Sequence, residues 1–142
     1  MTGQAERDLV AGVIQLANLL TRRLSPVFEK AHVTPQQWAI LSVLDRSGGP
    51  MSLAALARAM MVSKQNMTGM MARLEQLGFA ERADDPEDLR SSRVGLTRRG
   101  RATIEKLRPA YEQWRDALSA DVSERELATT ARTIEQLIST LE

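Results

Sequence analysis

The sequence predicts a mainly α-helical fold with a small β-hairpin wing: a winged helix-turn-helix flanked by dimerisation helices. Three observations carry that prediction. Two short apolar-periodic segments, "SLAALARAM" and "SKQNMTGMMARLEQLG", are separated by only three residues, which reads as a helix-turn-helix. The period then drops to two over "FAERAD" (79–84) and "SRVGLT" (92–97), with seven residues of polar turn between them, so a hairpin follows the second helix. Wide apolar helical faces lie outside this middle, at both ends of the chain, and are too apolar to stand free in water.

Each element follows from local signals. The first helix, "LVAGVIQLANLLTRRLSPVFEKA", sets Leu9, Val13, Leu16, Leu20, Leu24 and Val27 at spacings of three and four, and Ile14 and Leu19 widen the stripe. Pro26 is expected to bend or interrupt its last turn. The second helix has Thr34 as N-cap candidate and Pro35 at its first position, where the missing N–H costs nothing. Trp38, Leu41 and Leu44 form its buried side, and Gly48-Gly49-Pro50 ends it. From Ser52 a short helix turns Leu53, Leu56 and Ala57 inward. Ser63 caps the next, which buries Met67, Met70, Met71, Leu74 and Leu77 and stops at Gly78. Between the two, Met61 stands where such turns usually carry glycine, so the turn is made at φ < 0 or at some strain.

Thr97 caps a long helix carrying Ile104, Leu107, Tyr111, Trp114 and Leu118, with a kink expected at Pro109. Ser123 followed by Glu126 is a capping box, and Leu127, Ile134, Leu137, Ile138 and Leu141 make the apolar side of the last helix. The expected organisation is an N-terminal helix contributing to dimerisation (1–33), a winged helix-turn-helix domain (34–96), and a long helix plus a C-terminal dimerisation helix (97–142). Packing the terminal helices against a second copy gives a twofold homodimer. A larger monomeric bundle is the alternative.

Composition bounds the chemistry. The 142 residues are 43% apolar, enough for one domain-sized core. With no cysteine, the chain offers no disulfide, thiol catalysis, thiolate metal site or direct thiol redox sensing. No signal-like N-terminus and no long apolar run stand out, so a cytoplasmic location without membrane association is expected. Net charge is only +1, but residues 58–108 hold 11 basic and 7 acidic groups, against 3 and 7 in residues 109–142. The middle is the place to look for a polyanion.

In a helix-turn-helix the second helix enters the DNA major groove with its N-terminal end. Its outward residues are Lys64, Gln65, Asn66, Thr68 and Arg73, beginning at Ser63. Gln65 and Asn66 can pair bidentately with adenine, and Lys64 or Arg73 can take guanine edges or phosphate. Gly69, in mid-helix, costs roughly 1 kcal/mol against alanine but allows close approach. On the hairpin, "DDPEDLRSSR" packs Asp84, Asp85, Glu87 and Asp88 beside Arg90 and Arg93. The spacing does not fit a calcium loop, and no nucleophile stands nearby, so no metal, cofactor or catalytic role is expected. Asp85 and Asp88 read as scaffold for a tight turn that positions Arg90 and Arg93 toward a minor groove or its phosphates. Arg98, Arg99 and Arg101 sit in the first turn of a helix, where the macrodipole disfavours cations, which points to an outside anion, with a solvated charge run as the alternative. Arg58, Arg82, Arg98 and Arg99 are the candidates for phosphate contact. His32 is a single imidazole without zinc partners and reads as a capping or surface residue. Trp38, Met60, Tyr111 and Trp114 read first as core or dimer contacts and second as candidates for the wall of an effector pocket.

The stretches "VTPQQWAILSVL", "MSLAALARAMMVSKQNMTGMMARLEQLGFAER" and "ADDPEDLRSSRVGLTRRG" resemble the MarR family of regulators over about residues 10–140. Asp85, Asp88 and Arg90 match that family's wing aspartates and arginine; Leu96, Thr97 and Gly100 match the opening of its long helix. Leu89 departs, standing where an arginine often precedes the wing arginine. The resemblance implies a homodimeric winged helix that binds a pseudopalindromic double-stranded operator, most often as a repressor released by a small aromatic organic acid. It also implies major-groove reading by Lys64, Gln65, Asn66, Thr68 and Arg73 and minor-groove contact by Arg90. The competing reading is a winged-helix protein–protein module that binds no DNA; an enzyme is remote, for want of a placed acid–base pair or a phosphate cradle.

Overall fold

The computed structural model describes residues 3–142, apart from the side chains of Leu89, Arg90 and Ser91. The order of elements is α1 (Gln4–Phe28), a single 3-10 turn (Glu29–Ala31), α2 (Pro35–Arg46), β1 (Met51–Ser52), α3 (Leu53–Ala59), α4 (Lys64–Gln76), β2 (Ala80–Asp85), β3 (Asp88–Leu96), α5 (Arg98–Leu118) and α6 (Glu124–Leu141). This is the mainly α fold with a small wing that the periodicities predict. The chain forms two compact units, Met1–Leu107 and Arg108–Glu142.

The helices begin where capping side chains satisfy free backbone N–H groups. Thr34 Oγ1 accepts from Gln37 N at 3.1 Å while Gln37 Oε1 accepts from Thr34 N at 3.0 Å, a reciprocal capping box. Ser52 accepts from Ala55 N, and Ser63 from Asn66 N, both at 3.0 Å. Ser123 pairs with Glu126 through both its backbone N–H and its carboxylate. Each such cap contributes about 1 kcal/mol.

Three helix ends share one closing pattern, in which the chain turns through a left-handed residue and two N–H groups reach back over the last turn. After the 3-10 turn, His32 N donates to Glu29 O and Val33 N to Phe28 O, with His32 at φ 59°. After α3, Met61 N donates to Arg58 O and Val62 N to Ala57 O, with Met61 at φ 56°. After α4, Gly78 N donates to Glu75 O and Phe79 N to Leu74 O, with Gly78 at φ 80°. Glycine takes this conformation freely, whereas a side chain there costs roughly 1–2 kcal/mol. The α3–α4 turn therefore adopts the strained alternative. Both interior prolines are accommodated: α1 continues past Pro26 to Phe28, and α5 past Pro109 to Leu118.

The sheet has order β1-β3-β2 and is antiparallel throughout. β2 and β3 run from Ala80↔Leu96 to Asp84↔Ser92 and then, across an irregularity, to Asp85↔Asp88. Only Pro86 and Glu87 remain between the strands, so the expected seven-residue turn is mostly strand. β1 pairs Met51 with Val94 and Ser52 with Arg93. Two residues carry no readable period, and this third strand is absent from the sequence reading.

In the first unit the buried side chains include Phe28, Leu41, Leu56, Met67, Met71, Leu74, Val94 and Ile104. Phe28 and Trp38 stack with ring centroids 5.0 Å apart. Met70 and Leu77 stand only half-buried at the margin of α4. Beyond Phe28, α1 buries nothing, and Val10 and Ile14 are each 58% exposed. In the second unit α6 has no buried residue, and Leu127, Ile134, Leu137 and Ile138 are all exposed.

Candidate nucleic-acid interface

The turn between α3 and α4 puts Ser63 at the start of a helix whose two sides differ sharply. Met67, Met71 and Leu74 are buried, while Ser63, Lys64, Gln65, Asn66, Thr68, Gly69, Ala72 and Arg73 are all exposed. The five residues expected to read a major groove, Lys64, Gln65, Asn66, Thr68 and Arg73, are therefore all open to solvent, as is Ser63 at the cap. They are not chemically equivalent there. Ser63 Oγ is occupied as the helix cap, and Thr68 Oγ1 donates to Lys64 O at 2.9 Å. Thr68 thus has its hydroxyl proton engaged and its methyl available. Arg73 Nη1 donates to Gln76 Oε1 at 3.3 Å, which holds its head along the helix.

The wing presents a second set. Asp85 Oδ1 accepts from Glu87 N at 2.9 Å, closing the tip, and its other oxygen lies 3.8 Å from Arg93 Nε. Arg93 Nη1 also donates to Pro50 O at 3.1 Å. Arg93 is therefore held from both sides, by the wing tip and by the segment leading into β1. Asp88 lies exposed at the start of β3. The expected role of Arg90 rests on a side chain outside the described residues; its backbone belongs to β3.

The remaining arginines divide by what they touch. Arg82 pairs with Glu75 at 3.6 Å, joining β2 to α4, and among the described residues Glu75 Oε1 has no hydrogen-bond partner. Arg99 lies over the Phe79 ring at 5.5 Å, and Arg101 Nη1 donates to Leu96 O at 3.1 Å. These two therefore have a contact within the protein at the helix N-terminus, and both stay exposed. Arg98 and Arg58 are exposed without such a contact among the described residues. A cleft of about 900 Å³ runs along the outer face of the wing sheet, where Ala83 and Gly95 give it a low floor. Arg82, Arg93, Arg98 and Arg101 border it, together with Asp45, Glu81 and Asp84.

The candidates for an effector pocket divide between the two units. Trp38 is buried against Phe28, and Met60 is half-buried as the C-cap of α3. Tyr111 and Trp114 are half-buried on α5 in the second unit. His32 serves as the left-handed residue of a helix end. Among the described residues, no group of three or more His, Asp or Glu side chains is placed to hold a metal ion. No described helix is long and apolar enough to cross a membrane.

Sequence reasoning named two residues that position this surface without finding the contacts they make. A Cβ added to Gly100 would collide with the Phe79 carbonyl oxygen, so α5 can close on the end of α4 only through glycine there. Pro50 packs against Gly95 and supplies the carbonyl that holds Arg93. The signal for Gly100 was its place three residues after a capping threonine; Pro50 gave none beyond ending a helix.

Comparison with known proteins bears on this surface. Residues 33–91 match the MarR family model. The chain is 40% identical over 95 residues to the transcriptional activatory protein BadR of Rhodopseudomonas palustris, covering 66% of this chain and 54% of that protein. It is 33% identical over 118 residues to the transcriptional regulator PecS of Dickeya dadantii, covering 80% and 71%. Among solved structures, an E. coli MarR mutant complexed with operator DNA superposes with a TM-score of 0.81 at 23% identity, covering 93% of this chain and 95% of that one. NadR in complex with 4-hydroxyphenylacetate superposes with a TM-score of 0.77 at 24% identity, covering 89% of each chain.

Proposed function

Because the chain belongs to the MarR family of DNA-binding transcriptional regulators, we propose that it acts as a homodimeric repressor, released from a pseudopalindromic operator by a small aromatic organic acid. The observation that carries the proposal is the exposed surface of α4. It gathers Lys64, Gln65, Asn66 and Arg73, two amides suited to adenine and two cations suited to guanine or phosphate, with no acid among them. Arg58 and Arg98 stand exposed for phosphate contact, and Arg90 and Arg93 belong to the wing strand next to it.

The dimer is supported by the apolar side chains that each unit leaves in water. Covering Val10, Val13, Ile14 and Leu16 in one unit, and Leu127, Ile134, Leu137 and Ile138 in the other, removes apolar surface at roughly 25 cal/mol per Å². Release by an aromatic acid is supported by the ligand of the NadR structure and by the aromatic residues Trp38, Tyr111 and Trp114. The activator among the relatives marks the opposite sign of regulation, which a promoter–reporter assay separates.

The test is selection of duplexes from a random library followed by binding at graded salt. The reading expects a particle of twice the 15.8 kDa chain mass, retained duplex, and an affinity that falls steeply as salt rises. Arg90→Ala should weaken binding and flatten the salt slope by about one ion. A protein that retains no duplex at low salt would return the function to a winged-helix protein–protein module.

A further inference from the structure

Gly69 is a glycine inside α4 that the protein itself does not explain. Glycine in a helix interior lowers stability, and it is ordinarily kept where the backbone needs a positive φ or a neighbour leaves no room for a Cβ. Neither holds here. Gly69 is absent from the residues with positive φ, and a Cβ built on it meets no heavy atom within 4 Å. Gly100 shows the contrast, since its hydrogen faces the Phe79 carbonyl.

Its place on the helix is also specific. At 3.6 residues per turn Gly69 falls opposite the buried Met67, Met71 and Leu74, at the centre of the outward surface. Its exposed surface neighbours, three and four residues away, are Gln65, Asn66, Ala72 and Arg73, and Thr68 borders Ala72 one turn back. Thr68 donates its hydroxyl to Lys64 O, so the group it leaves for a partner is its methyl. A glycine, an alanine and a threonine methyl form a shallow apolar notch, bordered by the hydrogen-bonding side chains of Gln65, Asn66 and Arg73.

We propose that this notch seats the 5-methyl group of a thymine in the operator's major groove, and that Gly69 is the specificity-determining residue because it alone leaves the depth for it. The inference rests on the DNA-binding reading above and goes further, naming the base feature read without a hydrogen bond. In the major groove that methyl is the only apolar group a standard base pair presents, and small apolar side chains are its usual partners. A 5-methylcytosine offers the same group.

The experiment compares the full chain with Gly69→Ala on the operator selected by the wild-type protein, with uracil replacing each thymine of a half-site in turn. Alanine should raise the melting temperature by roughly 2–5 °C, because it is the better helix former and nothing crowds it. It should weaken operator binding about tenfold while leaving low-salt binding to random duplex within about twofold. Uracil at one thymine position per half-site should weaken the wild type several-fold and cost the variant little more. A variant that is more stable and binds the operator like wild type overturns the proposal, as does one that is destabilised. Equal uracil penalties for both proteins at every position overturn the assignment to a methyl group. A wild-type protein that retains no duplex overturns the DNA-binding reading itself, a result distinguishable from all of these.

Discussion

Replacing Gly100 by alanine should be among the most damaging single-methyl additions in the chain. The new Cβ would run into the Phe79 carbonyl oxygen, with the carbonyl carbon 3.0 Å and the Cα 3.3 Å away. All three are backbone atoms, and Phe79 is fixed by its own N–H bond to Leu74 O. Relief must therefore come from movement of α5. That movement breaks a junction held by two hydrogen bonds from Thr97, the residue that caps α5: Thr97 N to Phe79 O at 3.1 Å and Thr97 Oγ1 to Gly78 O at 2.6 Å. At about 1 kcal/mol each they amount to about 2 kcal/mol, from which alanine's better helix propensity returns at most about 1. A net loss of about 1 kcal/mol or more is expected, and the crowding itself adds to it. Urea unfolding followed by helical circular dichroism measures it as a lower midpoint at unchanged slope. A Gly100→Ala protein as stable as wild type would refute the reasoning, because it would mean that α5 shifts without cost to that junction.

Two further changes probe other parts of the molecule. Met61→Gly removes a side chain from the left-handed region, worth roughly 1–2 kcal/mol, and returns part of that through the looser unfolded chain. The Met61 side chain is 58% exposed and contributes little burial, so a net gain of about 0.5–1 kcal/mol is expected in thermal unfolding. A loss instead would mean that the methionine side chain itself holds the turn. Ile134→Glu places a charge on the apolar side of α6, and light scattering should show a shift from twice the chain mass toward the monomer together with loss of operator binding. An unchanged dimer would remove that side of α6 from the interface.

Much of this molecule could be read from the sequence because its signals are local. Ser63, Thr34 and Ser123 announce helix starts through their own side chains, and Gly78 announces an end through its backbone. The exposure of Lys64, Gln65, Asn66 and Arg73 follows from the spacing of Met67, Met71 and Leu74 alone. What stayed hidden depends on residues distant in the chain. Arg93 meets Pro50 across 43 positions, and no period or cap in "GGPMS" signals that a two-residue strand will form there. The place of Arg99 and Arg101 in a first turn points to an outside anion and says nothing of the Phe79 ring and the Leu96 carbonyl that also meet them. Where a methionine replaces glycine in the α3–α4 turn, sequence named the strain but not its sign of φ; the pull of Val62 N and Met61 N back onto α3 decided it.

The short β1 strand has a mechanical meaning that its size conceals. Ser52 caps α3 through its side chain and pairs with Arg93 of β3 through its backbone, while Arg93 reaches back to the residue two positions earlier, Pro50. One dipeptide is thus shared between the helix pair and the hairpin. The wing cannot swing on its own tether without unseating the first turn of α3. On the proposed reading the two parts act as the jaws of a fixed-gap caliper, and the operator has to bring its major- and minor-groove features to a set separation. A base pair inserted between those features would have to be absorbed by bending the DNA, not by adjusting the protein.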